Sequence, residues 1–404
     1  MPLFGAHLSI AGGTDRAALR ARGLGADCLQ LFVKSPSQWR FAALTDEEVE
    51  RFRAAVRGEQ QSAPGEYTGG RTRNEHNNAD ERNSPHGPPC IHGGLNTDAA
   101  DAASVTPHSA LRTPHSLSPL VGHASYLVNL ASPDDRLYDR SRRCLLEELD
   151  RAARLGLDAF VLHPGAHVGS GEQAGLDRIA DALLWLRAAR PAPRVSILLE
   201  TTAGAGTVLG GRFEQLAYVI NKCDPTAKDG NRQEATGEGR QATGNGQEAA
   251  GKGAAQSEIR NLKFEMDSQN GLRSVFRVPS SEFAVPSSAF WLGICIDTCH
   301  LFAAGYDLRT AASLDSTLGR LDAAVGLDRV CVVHANDSRG RLGSRLDRHA
   351  HIGRGQLGRA TFRLLVNHPA LCHLPFIIET PKEDDRGRAM DPVNLRTLRR
   401  MAAT

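Results

Sequence analysis

The residues of this chain best suited to chemistry are histidines and carboxylates: His123, His163, Glu200, Asp297, His300, His334 and Glu379, joined by Asp347, His349 and His351 of the segment DRHAHIG. Imidazole and carboxylate without thiolate suit zinc, manganese or iron. Leaving His351 aside, five histidines and four carboxylates remain, too many for one ion. They imply two or three ions, with a carboxylate such as Glu200 bridging. Clustered divalent ions are suited to phosphodiester hydrolysis, because they generate hydroxide, clamp the phosphate and neutralise the leaving oxygen. Three Zn²⁺ against four carboxylates leave roughly +2 before hydroxide binds, which draws an anionic phosphate.

Such a site needs elements that bring distant residues together. Eight short apolar runs recur: LFGAHLSI from Leu3, CLQLFVK from Cys28, PLVGH from Pro119, AFVLHPG from Ala159, VSILLET from Val195, WLGICID from Trp291, VCVVHAND from Val330 and PFIIET from Pro375. Amphipathic segments such as DEEVERFRAAV, DRSRRCLLEELDRAARLG and LDRIADALLWLRAA lie between them, the first two opening after the capping residues Thr45 and Asp134. Eight runs alternating with eight helical segments give the count of a closed parallel barrel, a TIM (β/α)8 fold. A doubly wound open sheet is the alternative, but it has no need of eight repeats. Active sites of such barrels form at the C-terminal strand ends. His123, His163, Glu200, Asp297, His334 and Glu379 fall where six runs stop. One polar strand end is ordinary; six together are a site.

The formal charge of +2 argues against a protein held to nucleic acid by bulk charge, though a local positive centre fits. The start, MPLFGAHLSIAGG, has no basic region followed by an apolar one, and no run has the apolar length of a membrane span. The eight cysteines form no CxxC pair, and Cys28, Cys295 and Cys331 sit inside apolar runs, as reduced buried thiols do. Cys295 and Cys299, read as lying on one strand, lack the spacing of a zinc pair. The expectation is a monomeric cytoplasmic protein, one barrel over 1–404 with two insertions. Residues 59–118 are rich in Gly, Pro, Asn, His and Ser, and residues 224–290 carry QEATGEG, QATGNG and QEAAGKG; both are expected to be mostly disordered. The more apolar stretch 271–290 could dock on the barrel.

The segments GAHLSIAGG, QLFVKSPSQW, HASYLVNLASP, HPGAH, ETTAG, GICIDTCHLFAAGYDLRT, HANDS, GSRLDRHAHIG and IIET, read in order, resemble the endonuclease IV family of apurinic/apyrimidinic endonucleases. The resemblance covers most of the chain outside the insertions. It implies three Zn²⁺ per chain and hydrolysis of the phosphodiester 5′ to an abasic site in duplex DNA, leaving a 3′-hydroxyl for base excision repair. Carried over by residue, one zinc takes His123, His163 and Glu200. A second shares Glu200 and adds Asp297, His334 and Glu379, and the third takes His300, Asp347 and His349. Glu200 and Glu379 are the expected catalytic carboxylates: Glu200 bridges, and Glu379 orients the attacking hydroxide.

The chain departs from the family pattern at two places. ETTAG stands for the usual ENTAG, so Thr201 replaces an Asn beside a ligand. Of the Arg and Tyr that the resemblance places at the lesion, the Tyr is Tyr126, whereas Ser37 occupies the Arg position. Gln38, Trp39 and Arg348 are the other expected DNA contacts. His7, His167 and His351 neighbour ligand positions without matching one, as outer-sphere, phosphate-facing or structural groups. Two rival readings are a xylose-isomerase-like sugar isomerase or epimerase, with one or two ions, and a non-catalytic DNA-lesion binding protein, which would not need nine intact ligands.

Overall fold

A computed structural model describes residues 1–59, 116–190, 195–224 and 291–402. The chain opens with strand β1 (Leu3–Leu8), helix α1 (Thr14–Gly23), β2 (Cys28–Phe32) and α2 (Asp46–Arg57). It continues with β3 (Leu120–His123), α3 (Asp135–Leu155), β4 (Ala159–Leu162), α4 (Glu172–Ala189), β5 (Ser196–Glu200) and α5 (Phe213–Cys223). Next come β6 (Leu292–Asp297), α6 (Thr298–Ala304), α7 (Ala311–Ala324), β7 (Val330–His334), β8 (Asp337–Ser338) and β9 (His349–Ala350). The last elements are α8 (Gly358–Asn367), β10 (Pro375–Ile378) and α9 (Asp391–Ala402). The insertions expected within 59–118 and 224–290, including the stretch 271–290, fall almost wholly outside the described residues.

The eight apolar runs become eight parallel strands closed in the order β1-β10-β7-β6-β5-β4-β3-β2. The open-sheet alternative is thereby corrected. The caps form where expected: Thr45 and Glu48 make a reciprocal capping box on α2, and Asp134 accepts from the Leu137 N–H on α3. The helix count differs from eight. Among the described residues there are nine α-helices, because two follow β6. The strand stops at Asp297, whose Oδ1 accepts the His300 N–H at 2.8 Å and starts the seven-residue α6. Cys295 and Cys299 therefore lie on a strand and a helix, not on one strand. The segment read as the DRHAHIG loop also contains β9, which pairs antiparallel with β8.

The core has two parts. Leu29, Leu31, Phe160, Leu199, Ile294 and Phe376 face the helices. Cys28, Val121, Val161, Leu198, Cys295, Val332 and Ile377 fill the barrel interior. Successive strand residues point to opposite faces, so the residue two positions on from each interior one stands a layer higher on the same side. Those next positions are Gln30, His123, His163, Glu200, Asp297, His334 and Glu379. On the outer face, close packing against the helices depends on small residues: a Cβ on Gly122 would overlap the Phe160 ring.

Candidate metal centre

The alternation of the strands aims six ligands upward from the barrel floor, and two local devices add the rest. Asp297 caps α6, which sets His300 three residues later on the same side. The β8–β9 hairpin pairs Ser338 with His349 and brings Asp347 to the cleft. Buried Asp337 anchors the loop beyond it, accepting N–H bonds from Gly355 (2.9 Å), Leu357 (3.0 Å) and Gly358 (3.3 Å).

The nine candidate ligands converge as three groups: His123, His163 and Glu200; Glu200, Asp297, His334 and Glu379; His300, Asp347 and His349. Within each group the ligand atoms lie within 4.8 Å of one another. Glu200, fully buried, is common to the first two: its Oε2 is 3.0 Å from His163 Nε2 and 3.3 Å from His123 Nε2, and its Oε1 is 3.0 Å from His334 Nδ1. A further grouping of Asp297, Cys299 and His349 brings a thiol near. Burial pushes the Cys299 thiol up to about 12, and the thiol donates to the Arg348 carbonyl at 3.7 Å.

Four imidazoles each bond a protein acceptor with one nitrogen and turn the other toward carboxylates. His123 Nδ1 donates to the Ala124 carbonyl (2.9 Å), His300 Nδ1 to the Thr201 carbonyl (2.8 Å) and His349 Nδ1 to the Glu379 carbonyl (3.2 Å). His334 Nε2 donates to Gln30 Oε1 at 2.8 Å. Such bonds fix the tautomer of a metal-binding histidine. The buried His300 Nε2 and His349 Nε2 have no hydrogen-bond partner, although Asp347 Oδ1 lies 3.2 and 3.4 Å away. Lone pairs buried, aimed and unpaired in this way fit a cation among them.

The charges are strongly linked. Burial, the largest influence, opposes ionisation of Glu200 and Glu379, yet His163 and His334 around Glu200, and His334 and His7 around Glu379, hold both carboxyls well below their ordinary range. Burial likewise disfavours charge on His300 and His334. The carboxylates of Asp297, Asp347 and Glu200 around His300, and Cys295, Glu379 and Glu200 around His334, hold both imidazoles well above their usual value. His123 is raised against burial by Glu200 and Glu379.

The site opens into a cleft of about 700 Å³. Tyr126 stands on its rim, 73% exposed, its ring edge-on to Phe32 at 5.2 Å. Ser37, Gln38 and Arg348 are exposed, and Arg348 lines the cleft together with Arg339. Trp39 is half-buried against the core under the Arg140 guanidinium, 4.4 Å away, which gives it a packing role. Of the three neighbouring histidines only His7 joins the site, 2.9 Å from Glu379 Oε1. His167 accepts the Gly171 N–H in the turn before α4, and His351 lies against Asn394.

Three residues that position ligands escaped the sequence reading. Gln30 bridges His334 and Glu379, donating to Glu379 Oε1 at 2.7 Å. Asn336 donates to Asp297 Oδ2 at 2.6 Å and accepts the Glu379 N–H at 2.8 Å. Asp337 is the third. A lone Gln inside the apolar run CLQLF was the available signal. Thr201, noted for replacing an Asn, accepts the Asp297 N–H through Oγ1 at 2.9 Å.

Residues 108–228 and 284–400 match the xylose isomerase-like TIM barrel family. The chain is 37% identical over 399 residues to a protein of Chloroflexus aggregans described as probable endonuclease 4, covering 99% of this chain and 97% of that one. It is 34% identical over 397 residues to a Geobacter sulfurreducens protein of the same description, covering 98% and 93%. Among solved structures, endonuclease IV from Thermus thermophilus superposes with a TM-score of 0.61 at 28% identity, over 100% of this chain and 99% of that one. An L-ribulose 3-epimerase superposes with a TM-score of 0.51 at 11% identity, over 100% and 94%, a likeness of fold alone.

Proposed function

The chain belongs to the xylose isomerase-like TIM barrel family, among its endonuclease 4 members, and we propose from this that it hydrolyses the phosphodiester 5′ to abasic sites in duplex DNA, leaving a 3′-hydroxyl, with three zinc ions held by its nine clustered ligands. It is a hydrolytic endonuclease of DNA repair. The observation that carries the zinc reading is the sharing of Glu200 between two ligand groups, with the third group completed by Asp347 and His349. A sugar isomerase with one or two ions would leave several of these residues without employment.

His123, His163 and Glu200 would hold one ion, Glu200, Asp297, His334 and Glu379 the second, and His300, Asp347 and His349 the third. Bound zinc supplies positive charge to the phosphoryl and leaving oxygens and lowers the pKa of water. The chain's own contribution is placement. Gln30 and His7 hold Glu379 Oε1, which leaves Oε2 toward the cluster, 3.2 Å from His334, where Glu379 can orient the attacking water. Glu200, fully buried between four imidazoles, keeps its charge where a bridging ligand needs it. Tyr126, Gln38 and Arg348 would meet the DNA along the rim, and Arg339 extends that basic edge. The reading includes a monomer in the cytoplasm, in keeping with the seven free thiols among the described residues. No helix of the described residues is long and apolar enough to cross a membrane.

The test is a duplex with one tetrahydrofuran abasic analogue, incubated with metal-quantified protein without added Mg²⁺. About three zinc per chain and a single incision leaving a 3′-hydroxyl are expected. Fully loaded protein that binds this duplex without cutting it would favour the lesion-binding alternative.

A further inference from the structure

Lys34 and Glu148 form an ion pair of 3.0 Å with side chains only 2% and 1% exposed. Neither lines the cleft or touches the nine ligands. A buried ion pair is a weak way to hold a helix to a strand, since well-packed apolar residues serve as well. Burial pushes the Glu148 carboxyl up, against the pull of Lys34. What an apolar pair could not supply is the set of hydrogen bonds around this one. Lys34 Nζ donates to the Gln38 carbonyl at 2.6 Å and to the Ser35 carbonyl at 3.3 Å. Glu148 accepts the Ser125 N–H at 3.2 Å. Ser125 Oγ in turn donates to the Pro36 carbonyl at 2.6 Å. One turn further along α3, Arg151 donates to the carbonyls of Val33 (2.9 Å) and Ala42 (2.7 Å), gripping the ends of the same loop.

Each bond made by Lys34, Glu148 and Ser125 reaches one of two rim segments, the turn 35–38, which carries Ser37 and Gln38, or the residues around Tyr126, while Arg151 fixes the loop on either side of the turn. We infer that the Lys34–Glu148 pair is a positioning device for lesion recognition, holding these two segments in one register so that they meet the duplex as a single surface. The inference rests on the abasic-duplex reading of the cleft. It also bears on Ser37, which stands where the family resemblance expects an Arg: with a short side chain there, placement of Gln38 and Tyr126 matters more. Lys34 and Glu148 are positioning residues that never touch substrate, so their effect belongs in KM and not in kcat or zinc content.

The experiment compares wild type with the double variant Lys34→Met/Glu148→Leu, which removes both charges together and leaves neither stranded. On the tetrahydrofuran duplex, KM should rise about tenfold, the effect of losing one good hydrogen bond's worth of order. The kcat should stay within about twofold and zinc per chain should be unchanged. Ser125→Ala, which cuts the direct bond between the segments and spares the ion pair, should raise KM in the same direction with little change in Tm; it decides the question if the double variant does not fold. Wild-type KM in a folded double variant, or in Ser125→Ala, overturns the inference. So does a parallel fall of kcat and zinc, which would place the pair's effect at the metal centre. Failure of the wild-type protein to cut the duplex sinks the abasic-site reading instead.

Discussion

Replacing Gln30 with Leu isolates the contribution of one fully buried amide to the metal centre. Gln30 Nε2 faces the Glu379 carboxylate at 2.7 Å, so Oε1 faces His334 Nε2 at 2.8 Å and that nitrogen must carry the proton. His334 Nδ1 is then left as a lone pair, 3.0 Å from Glu200 Oε1 and 3.2 Å from Glu379 Oε2. Leu has nearly the volume of Gln, so little cavity opens. The loss is polar. A buried Nε2–H without an acceptor costs about 1–3 kcal/mol, and the proton gains by moving to Nδ1, where it blocks the central ion. An altered orienting group typically weakens metal binding or activity about 10- to 100-fold, or about 1.4–2.8 kcal/mol. The assay equilibrates stripped protein against zinc buffers of stepped free concentration and measures bound zinc and cleavage at each step. One of three equivalents should require about 10- to 100-fold more free zinc, with cleavage recovering along the same curve. Gln30→Glu, which can still accept the His334 proton but repels Glu379, should retain more zinc than Gln30→Leu while turning over poorly. A Leu variant that fills all its sites at wild-type free zinc and cuts at the wild-type rate would refute the tautomer argument.

Three further outcomes are expected. Glu200→Gln removes the shared charge and should cost at least one zinc per chain and about a hundredfold or more in turnover; unchanged turnover would refute the shared-ligand assignment. In stripped protein the cluster is held by imidazolium–carboxylate pairs. The raised His123, His300 and His334 stabilise fully below their ordinary 6.5 and lose that effect as pH rises through their higher folded values, while the lowered Glu200 and Glu379 stabilise above 4.5 and lose it on acidification. Its Tm should therefore peak between about pH 4.5 and 6.5, with the Tm gain on adding zinc growing above that window; a pH-independent gain would contradict the pairing. Arg339→Ala should weaken binding to lesion-bearing and intact duplexes alike and lower the slope of log affinity against log salt by about 0.9; lesion-selective weakening would show that Arg339 reads the lesion instead.

Strand count and most of the site were legible because they share one signal, an apolar run ending in a polar residue. That signal fails for short or solitary features. β8 and β9 have two residues each, below any periodicity. The helix α6 has seven and was hidden in the run-out of the strand before it, although Asp297 three residues before His300 is an N-cap pattern. Residue type alone also misleads. His167 and His351 match the ligands in kind and lie beside them in sequence, yet one braces a turn and the other packs on Asn394. Lys34 and Glu148 were invisible for the opposite reason: each looks like an ordinary surface charge until the fold buries both.

The phase of the strands explains why the metal centre and the stability of the barrel are hard to separate. Cys28, Val121, Val161, Leu198, Cys295, Val332 and Ile377 fill the interior, and the residue two positions on in each strand is Gln30 or a candidate ligand. The floor of the site is thus the roof of the core. A one-residue slip in any strand would bury a ligand among the helices and push an apolar neighbour such as Leu199 or Ile296 into the cluster. The apolar layer therefore specifies the register that assembles the ligands. It also keeps water from beneath them, which strengthens every charge interaction in the layer above. Substitutions that change volume at Val161 or Leu198 should consequently disturb zinc affinity as well as stability, although neither side chain approaches a ligand position as a donor.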